Sequence, residues 1–142
     1  MGSKEALAVI SYRDGYEYQL AAAYELEIEI RPPSQIVTQY IALDTDGLLT
    51  IGEGYAWDGP SGPAIDTKNF MRGSLVHDAL YQLMREGELA QEHRETADRI
   101  LQQICRKDGM TALRAWWVYQ GVRFGGGPAA DPSNDNPVLT AP

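Results

Sequence analysis

The chain has 142 residues, a length that suits one domain of ordinary size. With 44% apolar and 23% charged residues it can build a packed core, and large disordered regions are not required. Twelve basic against twenty acidic residues give a formal charge of -8, which opposes nucleic-acid phosphates and anionic membrane surfaces and favours cations.

Three further exclusions follow. No apolar run approaches the ~18 residues of a transmembrane helix, so a soluble chain without stable membrane insertion is expected. The opening residues Met1 to Ala6 lack the basic-then-apolar pattern of a secretory signal. Cys105 is the one cysteine, which excludes an intrachain disulfide and a thiolate-rich metal cage and fits a reducing cytoplasm.

In chain order, a short strand is expected around Tyr16 to Leu20. Tyr24, Leu26, Ile28 and Ile30 then alternate with Glu25, Glu27 and Glu29, the period of two that marks a half-buried strand with one solvated acidic face. Arg31-Pro32-Pro33-Ser34 stops it. The β-branched and aromatic run from Gln35 to Leu43 predicts a second strand, Asp44-Thr45-Asp46-Gly47 a turn, and Leu48 to Ile51 a returning strand that completes a hairpin. From Gly52 to Pro63 the density of glycine and proline predicts a loop.

Asp66 or Thr67 can cap a first helix running to about Arg85, which Gly87 ends. Ala97, Ile100, Leu101, Ile104 and Cys105 follow the spacing of a second, core-facing helix that stops at Asp108-Gly109. A third, about Thr111 to Phe124, carries Leu113, Trp116, Trp117 and Phe124 on one side, with the tryptophan pair expected as core and surface anchor. Gly125-Gly126-Gly127-Pro128 terminates the helices. The reading is a single α+β domain over 1–127, antiparallel strands then three helices, with a Pro-, Asn- and Asp-rich tail over 128–142 that is extended or disordered.

One cluster carries chemistry. His77 and Tyr81 are four residues apart on the first helix and share a face, with Asp78 at its side. Asp98 sits on the shoulder of the second helix's apolar stripe, so it is expected to be partly buried and to need a partner, which His77 or Tyr81 on a neighbouring antiparallel helix can supply. A carboxylate on one imidazole nitrogen fixes the tautomer and leaves the other nitrogen free to take a proton from water. Asp78 can hold a divalent cation with carbonyls of the Gly-rich loop, since hard cations prefer oxygen.

Plainer roles stand beside these. His77 is as readily structural, and Asp98 equally fits a bond to Tyr81 or an ion pair with an arginine such as Arg72. Asp58 suits an Asx-type turn. Ser61 lacks a nucleophile elbow, His93 is expected in solvent, and Cys105 reads as a packed apolar residue.

Gly54 to Pro63, with Asp58-Gly59-Pro60-Ser61-Gly62-Pro63 at its heart, is followed by Leu75-Val76-His77-Asp78-Ala79-Leu80-Tyr81 and later by Ala97-Asp98. Together these resemble a family of small phage and bacterial proteins of uncharacterised function, over roughly residues 15 to 125. That resemblance implies a phage or prophage source, hence the cytoplasm of an infected host or the virion.

The same residues look like a reduced secretory phospholipase A-two site. That likeness implies His77 as general base, Tyr81 and Asp98 as its supports, and a metal site, calcium first, made by Asp78, Asp58 and the carbonyls of Trp57, Gly59 or Gly62. The loop departs from that family at Pro60 and Pro63, and no cationic or aromatic membrane-docking face is expected.

The function so read is a metal-assisted hydrolase of an ester or phosphoester such as a phospholipid, with no nucleotide cofactor and no nucleic-acid partner. Its rivals are a non-enzymatic phage accessory or virion protein with a phage or host partner, and a module that sequesters a small ligand.

Overall fold

In the computed structural model, which describes residues 10, 12–13, 18–57 and 68–130, strands come first and helices follow, an α+β arrangement. The strands are β1 (Tyr12–Arg13), β2 (Tyr18–Leu20), β3 (Tyr24–Glu27), β4 (Ile36–Val37), β5 (Ile41–Leu43), β6 (Leu48–Ile51) and β7 (Ala56–Trp57). They form two antiparallel sheets, in the orders β1-β2-β7 and β3-β6-β5-β4.

The alternation predicted for 24–30 holds in burial. Tyr24, Leu26, Ile28 and Ile30 are all buried, while Glu27 and Glu29 are exposed. The paired part ends at Glu27. The β5–β6 hairpin turns as expected, with Asp44 Oδ1 accepting from the backbone N–H groups of Asp46 and Leu48, both at 2.9 Å.

Two strand expectations need correction. The run from Gln35 to Leu43 is a small hairpin of its own, with Ile36 opposite Leu43 and Val37 opposite Ala42. Thr38 makes the bend, its hydroxyl donating to Ile41 C=O at 3.0 Å and accepting from Ile41 N–H at 3.2 Å, where no glycine or proline announces a turn. The Gly-rich stretch, read as loop throughout, contains β7, which pairs with β2.

The helices are α1 (Lys68–Arg85), α2 (Arg94–Lys107), α3 (Ala112–Gly125) and the four-residue α4 (Gly127–Ala130), with a 3-10 turn over Gln91–His93 leading into α2. The cap proposed for α1 at Asp66 or Thr67 lies outside the described residues. Thirteen of the eighteen residues of α1 are buried, so α1 is the central element, sharing a core with both the sheets and α2. Gly73 lets α2 come close: a Cβ there would stand 2.9 Å from Leu101 Cδ1 and 3.0 Å from Cys105 Sγ.

A second network ties sheet to helices. Buried Arg72 donates from Nε and Nη2 to both oxygens of Asp108, at 3.1 and 2.9 Å, and from Nη1 to Tyr24 Oη at 2.9 Å. Arg72 therefore serves the end of α2 and not Asp98.

α3 is capped by Thr111, whose hydroxyl accepts from Arg114 N–H at 3.3 Å. Its Ala115, Val118 and Val122 pack with Phe70, Leu101, Cys105 and Met110 in a smaller core. The side shared by Leu113, Trp116, Trp117 and Phe124 faces outward, which corrects the expectation that the tryptophans contribute to the core. Residues 128–130, expected in the tail, belong to α4, where Ala130 is buried and its carbonyl accepts from the Gln91 side chain. The remainder of the tail lies outside the described residues.

Candidate active site

α1 and α2 lie side by side, and the face they share brings His77, Tyr81 and Asp98 together. The imidazole and phenol rings, one helical turn apart, pack with centroids 4.1 Å apart. Asp98 is fully buried, beyond the partial burial expected for a shoulder position. Its Oδ1 lies 2.7 Å from His77 Nε2 and accepts from the Tyr81 hydroxyl at 2.6 Å. Its Oδ2 accepts from Arg123 Nη1 at 2.8 Å.

The arginines are what the sequence reading missed. Arg123 comes from the last turn of α3. Arg94, at the start of α2, donates from Nε to Tyr81 Oη at 3.2 Å and from Nη2 to the carbonyls of Val122 and Arg123 at 3.1 and 2.8 Å. Those carbonyls belong to the open end of α3, where a cation is favoured by the exposed C=O groups and by the helix dipole. The signal that could have found them is physical: a buried carboxylate needs a cation, and the polar stretches nearest Asp98 in space hold these two.

Gly126 completes the packing. A Cβ at this position would stand 2.6 Å from Tyr81 Oη and 2.5 Å from Val122 O, so the turn after α3 closes over the phenol only because the residue is glycine. Among the described residues no buried side-chain nitrogen or oxygen lacks a partner.

The electrostatics follow from these contacts. Burial pushes the Asp98 carboxyl up, but the hydrogen bonds from His77 and Tyr81, the charge His77 carries when protonated and the bond from Arg123 outweigh it, holding Asp98 below the usual carboxylate range. Tyr81 moves the other way. Burial, then the bond to and charge of Asp98, raise its phenol well above the usual value, with Arg94 offsetting part of the rise. Tyr81 therefore stays protonated and donates. Since an ionised carboxylate has no proton to give, the His77 N–H sits on Nε2, and in the neutral ring Nδ1 is the basic nitrogen. The residue is 7% exposed, so His77 is a buried residue with little surface open to water.

The remaining expected site residues are placed as follows. Asp78 is half-buried beside His77 and is partnered. Trp57 ends β7 and is buried, its indole N–H donating to Ser74 Oγ at 3.0 Å, one turn before His77 on the same helix face. The Trp57 side chain thus meets the helix face that carries His77, and Asp58, Gly59 and Gly62 lie outside the described residues. No three His, Cys, Asp or Glu residues are grouped to hold a metal among the described residues, so Asp78 there makes no cation site by itself. His93, expected in solvent, is half-buried.

The chain is thus an α+β molecule with a buried His-Asp-Tyr network between two helices, closed by two arginines. The chain belongs to the family described as a protein of unknown function (DUF1353), whose model matches residues 35–122. That span runs from β4 into α3 and includes His77, Asp78, Tyr81, Arg94 and Asp98, with Arg123 one residue beyond it. Comparison with curated proteins and with solved structures yields no match.

Proposed function

We propose that this chain hydrolyses an ester or phosphoester, with His77 as general base and Asp98 and Tyr81 as the groups that position it. The observation that carries the reading is the fully buried Asp98 carboxylate bonded at once to His77 Nε2 and Tyr81 Oη. Nδ1 takes a proton from water as the water oxygen attacks the ester carbon or phosphorus. The positive charge that develops on the imidazole faces the Asp98 carboxylate, and the same proton then goes to the departing oxygen. Asp98 keeps the ring in the required tautomer, and Tyr81 holds the carboxylate oxygen in place. This use of His77, Asp98 and Tyr81 is similar to that in the secretory phospholipase A-two site.

A divalent cation, calcium first, belongs to the proposal, and Asp78 would hold it together with Asp58 and the carbonyls of Trp57, Gly59 or Gly62. When bound it polarises the carbonyl or phosphoryl oxygen. Addition of calcium is expected to raise the melting temperature, and Asp78→Asn to remove that rise.

The test is turnover of a panel of chromogenic esters, micellar phospholipids and phosphodiesters by the full chain, with and without calcium. His77→Ala is expected to lower the rate by about 10²–10⁴-fold. Activity no higher than that variant's across the whole panel would sink the reading.

The small exposure of the imidazole favours a second reading, in which the network only knits α1, α2 and α3 together in a phage accessory or virion protein. In that case His77→Ala lowers stability, no substrate turns over, and calcium leaves the melting temperature unchanged.

A further inference from the structure

We propose that Arg123 is a positioning residue for the His77 base, acting through the Asp98 carboxylate from the end of α3. The effect on rate rests on the hydrolase reading, while the state of the imidazole can be measured without any turnover. Asp98 offers two oxygens to three side chains. Oδ1 meets His77 Nε2 at 2.7 Å and the Tyr81 hydroxyl at 2.6 Å, and Oδ2 accepts from Arg123 Nη1 at 2.8 Å. The last torsion of an aspartate is soft, so a bond on Oδ1 alone leaves the carboxylate free to turn. With Oδ2 held by a charged donor, Oδ1 stays on the imidazole.

An arginine near a helix end, with a side chain 30% exposed, is ordinarily a loose partner. This one is braced. Its own carbonyl accepts from Arg94 Nη2 at 2.8 Å, and the Val122 carbonyl accepts from the same nitrogen at 3.1 Å. Arg94 and Asp98 both belong to α2, so the two helices exchange arginines: α2 grips the backbone of residue 123, and α3 returns that residue's side chain to Asp98. An arginine needed only to anchor α3 has the exposed Glu95 within electrostatic reach. Its bond goes instead to a carboxylate with no exposure, where the cost of desolvation is greater and each contact is felt in full.

The direction of the protons follows from the same two residues. A guanidinium has donors only and does not lose its proton. Arg94 Nε therefore donates to Tyr81 Oη, at 3.2 Å, and the single phenol proton is left for Asp98. Arg123 donates to the other oxygen. Both arginine-anchored bonds run toward the carboxylate, which can then only accept from His77. That draws the imidazole proton to Nε2 and leaves the lone pair on Nδ1, the nitrogen that the reaction needs.

The experiment uses the full chain with 15N-labelled histidine. The chain has two histidines, and His93→Asn assigns their signals. In the parent the neutral His77 ring is expected to carry its proton on Nε2 alone. Arg123→Met removes the donor and keeps an apolar stem, and is expected to give a mixture of the two tautomers. Arg123→Lys keeps a charged donor and is expected to restore most of the Nε2–H form. On an ester or phosphodiester that the parent turns over, Arg123→Met is expected to lower kcat about 10–100-fold with KM little changed, and the lysine variant to recover most of the loss. Circular dichroism reports that the fold is kept, and Arg123→Gln takes the place of a methionine variant that does not fold, with the same expectations. An unchanged tautomer and kcat in a variant that only melts earlier reduces Arg123 to an anchor for α3 and overturns the proposal. A raised KM with kcat kept also overturns it, and makes Arg123 a substrate contact. A tautomer that shifts as expected in a chain that turns over no substrate sinks the hydrolase and leaves Arg123 as the residue that positions His77.

Discussion

Asp98 accepts hydrogen bonds from three side chains without any exposure, so its charge is held by contacts that exist only in the folded chain. Its folded pKa lies below the unfolded value of about 3.9, and between the two the unfolded chain binds the extra proton. The stabilisation is therefore complete above pH ~4 and is lost as the pH falls through the folded pKa. Asp98→Asn is expected to cost about 3 kcal/mol at neutral pH and to flatten the fall in melting temperature below pH ~4. Thermal melts of both proteins across that range check the prediction. The pairing of Asp98 with His77 and Tyr81 was legible because helical periodicity fixes which residues share a face. Arg94 and Arg123 were not: an arginine partner for Asp98 was expected, but sequence does not say which one reaches it, and Arg72 is taken by Asp108. Arg123 is remote in sequence, and only the path of α3 brings it to Asp98.

α3 is held at its end by three features, the Arg123–Asp98 ion pair, the Arg94 guanidinium on its last carbonyls and the approach of Gly126 to Tyr81. Gly126→Ala is expected to destabilise the protein by about 1–3 kcal/mol by driving a methyl into the phenol and the Val122 carbonyl. Gly121→Ala in the same helix meets nothing within 4 Å and is expected to stabilise by up to about 1 kcal/mol through helix propensity alone. Urea denaturation of the pair distinguishes packing from propensity. The same elements show which signals survive in sequence. The 18-residue α1 and the apolar spacing of α2 were readable, as was the Asp44 turn. β7 was hidden among glycines, and the bend at Thr38 depends on a side-chain hydroxyl that composition does not flag.

Among the described residues there are two unequal cores. The larger joins both sheets to α1, and the smaller holds α3 through Phe70, Leu101, Cys105, Met110, Ala115 and Val118. Since the free energy of local opening follows the apolar contacts that must be broken, amides of α3 are expected to exchange before those of α1 and β6. Native-state hydrogen exchange measures that order, and equal protection across all three would contradict it. Cys105 sits in the smaller core, fully buried, with its thiol pushed up to about 12 by burial and the nearby Asp108. A sulfur so protected stays unreactive while the helices are closed. Any maleimide it captures in neutral buffer is thus a timestamp of their separation, and the single native cysteine turns the protein into its own breathing gauge.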